Sequence, residues 1–199
     1  MNPLTSVKGS ITAGFVLAII VSIALTAVAG GDAGFHHAQV ARWLHIVSGV
    51  MWIGLLYYFN VVQVPGLAAA AADTGGPGGA GISKYIAPRA LWWFRWAALA
   101  TWLTGAYYLW FFYGSIHKAF MLEPSLRTIG VGAWLGTIML LNVWGLIWPN
   151  QKKVLGIKPA TDAEKATARK VALYASRTNF ILSIPMLMCM SGHTHTLPF

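Results

Sequence analysis

His45 is followed by Gly49 at i+4 and Trp52 at i+7, a spacing that puts all three on one face of a helix. The residues around them are apolar, so the imidazole falls about two turns inside a membrane-spanning segment, where an ionisable side chain is costly without a partner. A glycine one turn from the imidazole leaves room for a flat macrocycle against the backbone, and the indole beyond it offers an edge to pack. Near the other end of the chain Asn179, Ser183, Met186, Met190 and His193 recur at i, i+4, i+7, i+11 and i+14, again one helical face. Imidazole is the commonest metal and haem ligand. His45 and His193 therefore read as a ligand pair for iron, with Gly49 and Trp52 as the wall beside it. The bland alternative is a histidine hydrogen-bonded to the next helix.

His195 points away from the His193 face and reads either as a surface residue or as a ligand at a second site. His36, His37 and His117 fall between apolar runs and read as solvated. Copper or zinc is the alternative metal: Gly192-His193-Thr194-His195 with His36-His37 is nitrogen-rich, and Met186 and Met190 add soft donors for copper. Methionines on a membrane helix are more often packing. There is no H-E-x-x-H and no carboxylate cluster, which argues against metal-assisted hydrolysis. The single cysteine, Cys189, excludes an internal disulfide, and the lack of C-x-x-C-H excludes covalently attached haem. Arg95, inside Leu-Trp-Trp-Phe-Arg-Trp, has two readings of equal weight. It snorkels within an aromatic belt, or it binds the anionic group of a haem propionate, a quinone or another carboxylate.

These residues need helices to carry them. The 199 residues are 57% hydrophobic and 10% charged, with a mean hydropathy of +0.61. Soluble domains carry about 25% charged residues. The net charge of +9 would suggest nucleic acid in a soluble chain. Here the Lys and Arg lie between apolar runs, which points to anionic lipid and to no nucleic-acid partner. Five stretches are long enough for ~30 Å of hydrocarbon: Ile11–Gly30, Ala38–Val62, Leu91–Tyr113, Ile129–Trp148 and Val171–Leu197. The first also resembles a signal peptide, through Lys8 and Ala-Val-Ala, but an uncleaved helix is expected.

The expected fold is all-α: one integral membrane domain over 1–199, a polytopic bundle of about five transmembrane helices, without internal repeat. Lys8, Lys84, Arg89, Lys152, Lys153, Lys158, Lys165, Arg169 and Lys170 share one side against Arg42, Lys118 and Arg127 on the other. The positive-inside rule then puts the N-terminus in the cytoplasm, and the C-terminus and all six histidines outside. Residues 67–83, rich in Ala and Gly, read as a flexible surface loop, and Thr161-Asp162-Ala163-Glu164 as a capping box starting a short helix.

Four segments carry a family resemblance: Leu44-His45-Ile46 through Asn60, WWFRWAALATWLTG at 92–105, NVWGLIWPNQKKV at 142–154 and SRTNFILSIPMLMCMSGH at 176–193. With them the chain resembles, from about residue 40 onward, the N-terminal membrane domain of the bacterial membrane-bound urate oxidases, in a stand-alone form. Those oxidases continue into a cytochrome c domain. The chain reaches Phe199 without one, so the resemblance implies a separate electron partner outside the membrane. A more distant likeness, His45 followed by W-x-x-G-L-x-Y, is to the haem-b membrane protoporphyrinogen oxidases.

Together these readings lead to a bacterial inner-membrane protein that binds haem b and exchanges electrons with an external cytochrome c or within a larger complex. Two alternatives stay open: an oxidoreductase acting on urate or a similar heterocycle, and a non-catalytic, copper-binding accessory subunit. Homo-oligomer formation and docking to another membrane subunit are equally allowed. The topology makes a direct prediction. In a Cys189→Ser background, a membrane-impermeant maleimide applied from outside labels His117→Cys and spares Lys158→Cys; the reverse pattern inverts the assignment.

Overall fold

A computed structural model describes residues 2–31 and 34–198; Met1, Asp32, Ala33 and Phe199 lie outside the described residues. Among the described residues every regular element is helical. The chain divides into two compact units, residues 1–37 and 38–199.

In the first unit a 3₁₀ turn, Pro3–Thr5, precedes α1 (Val7–Val28). Asn2 Oδ1 accepts from the Leu4 amide and Ser6 Oγ from the Gly9 amide, so side chains satisfy amides that a helix start leaves unpaired. The helix runs out at Gly30, whose φ of +68° suits glycine. None of its residues is buried. At 22 residues it is long enough to cross the hydrocarbon.

The second unit is a bundle of α2 (His37–Ala72), α3 (Ala87–Tyr113), α5 (Arg127–Val154) and α6 (Asp162–His195), with the short α4 (Ile116–Phe120) between α3 and α5. Three π-helical turns interrupt these elements, at Tyr58–Gln63, Ile82–Ile86 and Val143–Ile147. Each ends two residues before a proline: Pro65, Pro88 and Pro149. Proline has no amide to give and its ring crowds the carbonyl one turn back, and a widened turn ahead of it relieves that crowding without breaking the helix. α2 then continues through the alanine run to Ala72, so the flexible loop expected over 67–83 is largely helix, and only 73–79 lacks it. Alanine's helix propensity outweighs the reading of this stretch as linker.

α6 is a single 34-residue helix rather than a short helix feeding a span. Its capping box forms as expected: the Thr161 amide donates to Glu164 Oε2 at 2.8 Å, and the Glu164 amide to Thr161 Oγ1 at 3.3 Å. At roughly 1.5 Å per residue it exceeds the hydrocarbon thickness, so its first turns, rich in Lys and Arg, project beyond it.

Cross-helix contacts make neighbours antiparallel. Trp102 Nε1 of α3 donates to Thr137 Oγ1 of α5, and Asn60 Nδ2 of α2 to Ser176 Oγ of α6, both at 2.9 Å. Asn142 Nδ2 of α5 donates to the Ala175 carbonyl at 2.8 Å and to Asn179 Oδ1 at 2.7 Å, and Asn179 Nδ2 returns to the Met139 carbonyl at 3.0 Å. Around these, Trp52, Leu56 and Phe59 pack against Phe94, Ala98, Met139, Val143 and Met186 as a continuous core. α4 lies close on α5, because a Cβ at Gly130 would run into the Ala119 carbonyl. The alternation collects Lys84, Arg89, Lys152, Lys153, Lys158 and Lys165 at one end of the bundle, and His45, His117, His193 and His195 toward the other.

Four helices combine the length and hydropathy of a membrane span: α1, α2, α5 and α6. This marks a membrane protein. The expected third span, Leu91–Tyr113, is helical throughout but is not among the four. Its Trp92, Trp93, Trp96, Trp102, Tyr107 and Tyr108 rank low in hydropathy, although Leu91, Phe94 and Ala98 are part of the core.

The amide chain makes a stability prediction. Asn179→Ala should cost about 1 kcal/mol or more. Adding Asn142→Ala should cost less than its single-mutant value, since the two share one network. Detergent-denaturation midpoints of the single and double variants check this; strict additivity contradicts it.

Candidate functional site

α2, α3, α5 and α6 enclose a cavity of about 610 Å³ at the imidazole end, a size in the range of small-molecule and cofactor sites. His45, Gly49, Trp52, His193 and His195 all line it. Residues read from two distant segments of sequence thus meet at one place.

His45 is the most firmly held of them. Its Nδ1 lies 2.7 Å from the Thr101 carbonyl oxygen of α3. A carbonyl only accepts, so Nδ1 carries the proton and a neutral ring keeps its lone pair at Nε2. Gly105 makes this contact possible. A Cβ there would stand 2.7 Å from His45 Nδ1 and 2.8 Å from Cε1, so only a glycine one turn beyond Thr101 lets the ring lie against this carbonyl. A backbone carbonyl holding one imidazole nitrogen is the usual support of a ligating histidine.

Gly49 lines the cavity and leaves open space beside its backbone. A Cβ there would meet only Thr101 Cγ2, at 3.7 Å, which is ordinary contact. Gly54 and Gly136 also line the cavity, and a Cβ at either would meet nothing within 4 Å. Gly136 is buried, so the open space beside it belongs to the interior. Trp52 is 2% exposed, and its indole N–H has no acceptor among the described residues.

The α6 face behaves as its spacing predicts: Asn179, Ser183 and Met186 are buried, and Met186, Met190 and His193 line the cavity. Ser183 Oγ lies 3.2 Å from the Tyr57 hydroxyl, at the inner end. His193 Nε2 is 2.9 Å from the hydroxyl of Tyr113, the last residue of α3, with the rings edge to face at 5.3 Å. Tyr113 in turn packs against Tyr108, which also lines the cavity. Sequence reading passed over Thr101, Gly105, Tyr113 and Arg42. Gly105 closes the string WWFRWAALATWLTG, but its partner is another helix, which spacing along α3 does not reveal.

Arg95 lies elsewhere. Its guanidinium sits 3.8 Å from the centroid of the Trp148 ring, toward the basic end, and it does not line the cavity. The belt reading describes that contact. Arg42 is the only Lys, Arg, Asp or Glu among the cavity-lining residues. Among the described residues no three His, Cys, Asp or Glu side chains gather as a metal-ligand group, so the copper or zinc cluster read from Gly-His-Thr-His finds no support there.

The two glycines separate cleanly by experiment. Gly105→Ala should lower stability by about 1–3 kcal/mol by driving a methyl group into the His45 ring, whereas Gly49→Ala should be close to neutral. Comparable melting points for both variants would refute the placement of His45.

Comparison with known proteins bears on the C-terminal part. No curated protein and no solved structure gives a match. Residues 125–198 match the family model described as urate oxidase N-terminal. The segments 142–154 and 176–193 fall inside that match, and those around His45 and Arg95 fall outside it. Over α5 and α6, the helices that supply His193, Met186 and Met190 to the cavity wall, the chain is similar to the urate oxidase N-terminal family.

Proposed function

We propose that the chain binds a b-type haem in this cavity and works as a membrane redox protein, exchanging electrons with an external cytochrome c or within a larger membrane complex. The observation that carries the reading is His45, with Nδ1 held by the Thr101 carbonyl and its ring set against Gly105 at the wall of an apolar cavity. The residues fit a flat macrocycle: the buried Gly136 leaves open space, Leu109, Ile53 and Met186 supply an apolar wall, and among the described residues no Asp or Glu lines the cavity. When bound, the haem supplies one-electron redox chemistry.

The protein's own part is to hold and insulate. Thr101 fixes the tautomer and angle of His45, and apolar side chains such as Ile53, Leu109 and Met186 form the wall around it. His193 is the second donor in this reading. Its Nε2 would be the ligating atom, and the Tyr113 hydroxyl 2.9 Å away holds the imidazole at the cavity wall.

A second reading, oxidation of urate or a related heterocycle, is favoured by the family similarity over residues 125–198. Substrate-dependent reduction of the haem would distinguish it from pure electron transfer.

The test is spectroscopic. Purified protein should show a b-type α-band in the dithionite-reduced minus oxidised spectrum, and a pyridine haemochrome at stoichiometric haem. His45→Ala should lose the band, and His193→Ala should keep part of the haem with an altered, five-coordinate-like spectrum. Full haem and an unchanged spectrum in His45→Ala would sink the assignment.

A further inference from the structure

Arg42 is placed one turn before His45 on α2, and the spacing i, i+3 puts both on one face. It is exposed, while His45 is partly buried, so the guanidinium marks the outer part of the cavity and the imidazole a deeper level. Arg42 lines the cavity together with Tyr113, the phenol that holds His193. The cavity mouth therefore combines one permanent positive charge, two tyrosine hydroxyls at 108 and 113, and the imidazoles of His193 and His195. Among the described residues no acidic side chain lines it. Among the described residues the one ion pair involving a Lys or Arg joins Lys165 to Asp162, on the N-terminal turn of α6. A guanidinium left without a carboxylate beside an apolar cavity is suited to a carboxylate or other planar anion, which it meets through paired N–H donors.

We propose that Arg42 is the anion-binding residue of this site: it takes a carboxylate at the edge of the flat ligand and so orients that ligand, with its charged edge at the mouth and its apolar edge against Trp52 and Ile53. The proposal rests on the haem reading and assigns to Arg42 the anchoring role that sequence reading offered to Arg95. The residue sets ligand orientation as well as affinity, because among the described residues it is the one permanent charge lining the cavity.

The experiment titrates haem-depleted full-length protein in detergent with ferric protohaem, and separately with its dimethyl ester, following the Soret band. Wild type should bind the free acid about tenfold or more tightly than the ester, the effect of one charge-assisted pair. Arg42→Gln should bind the two alike, Arg42→Lys should restore part of the preference, and Arg127→Gln, which alters a residue outside the cavity lining, should leave it intact. If wild type binds both forms equally, or Arg42→Gln keeps the preference, the assignment of Arg42 falls and the haem reading stands. If wild type binds neither, the haem reading falls and this assignment with it.

Discussion

Asn179 is fully buried, its amide nitrogen donating to the Met139 carbonyl and its oxygen receiving the Asn142 amide. In an apolar bundle no water competes for such groups, and wherever a polar side chain bonds to the next helix it sets the relative height of the two helices. Asn142 and Asn179 fix α5 against α6 in this way, Asn60 and Ser176 fix α2 against α6, and Trp102 and Thr137 fix α3 against α5. His45 on the Thr101 carbonyl is the same device between α2 and α3. The candidate site is thus built from the constraint that holds the bundle in register, with one difference: the bond to His45 uses only one ring nitrogen and leaves the other for a ligand.

The two ends of the bundle are chemically distinct. One gathers Lys and Arg around the end of α5 and the starts of α3 and α6, with Arg95 stacked on Trp148. Charges there sit beside aromatic rings, as at a membrane interface. The other has few charges, several imidazoles and the cavity. Proline-linked π turns lie in the half toward the basic end, where α2 and α5 widen and continue as helices. At the imidazole end the helices stay regular, and space comes from glycine instead. This division leaves the basic half as scaffold and the imidazole half as the place where a ligand fits.

Periodicity made a good deal of this legible. The α6 face from Asn179 to His193 was visible from its spacing because a helix buries every third or fourth residue whatever it packs against. The capping box at Thr161 and the grouping of histidines at one end follow from local or count-based rules of the same kind. Misjudgements occurred where a local signal competed with another. The alanines from 68 to 72 read as linker but prefer helix, and the tryptophans and tyrosines of α3 lower its hydropathy although the helix is part of the core.

By itself, then, the sequence determined that the chain is helical, rich in membrane-length segments, and polarised between a basic end and an imidazole end. Those properties depend on composition and on spacing within one segment. Only the tertiary structure decided that Gly105 makes room for His45, that Tyr113 holds His193, and that Arg42 rather than Arg95 lines the cavity. Each of these is a meeting of two helices, set by which residues come to the same height after the bundle has packed, and the pattern along one helix carries no information about the height of its neighbour.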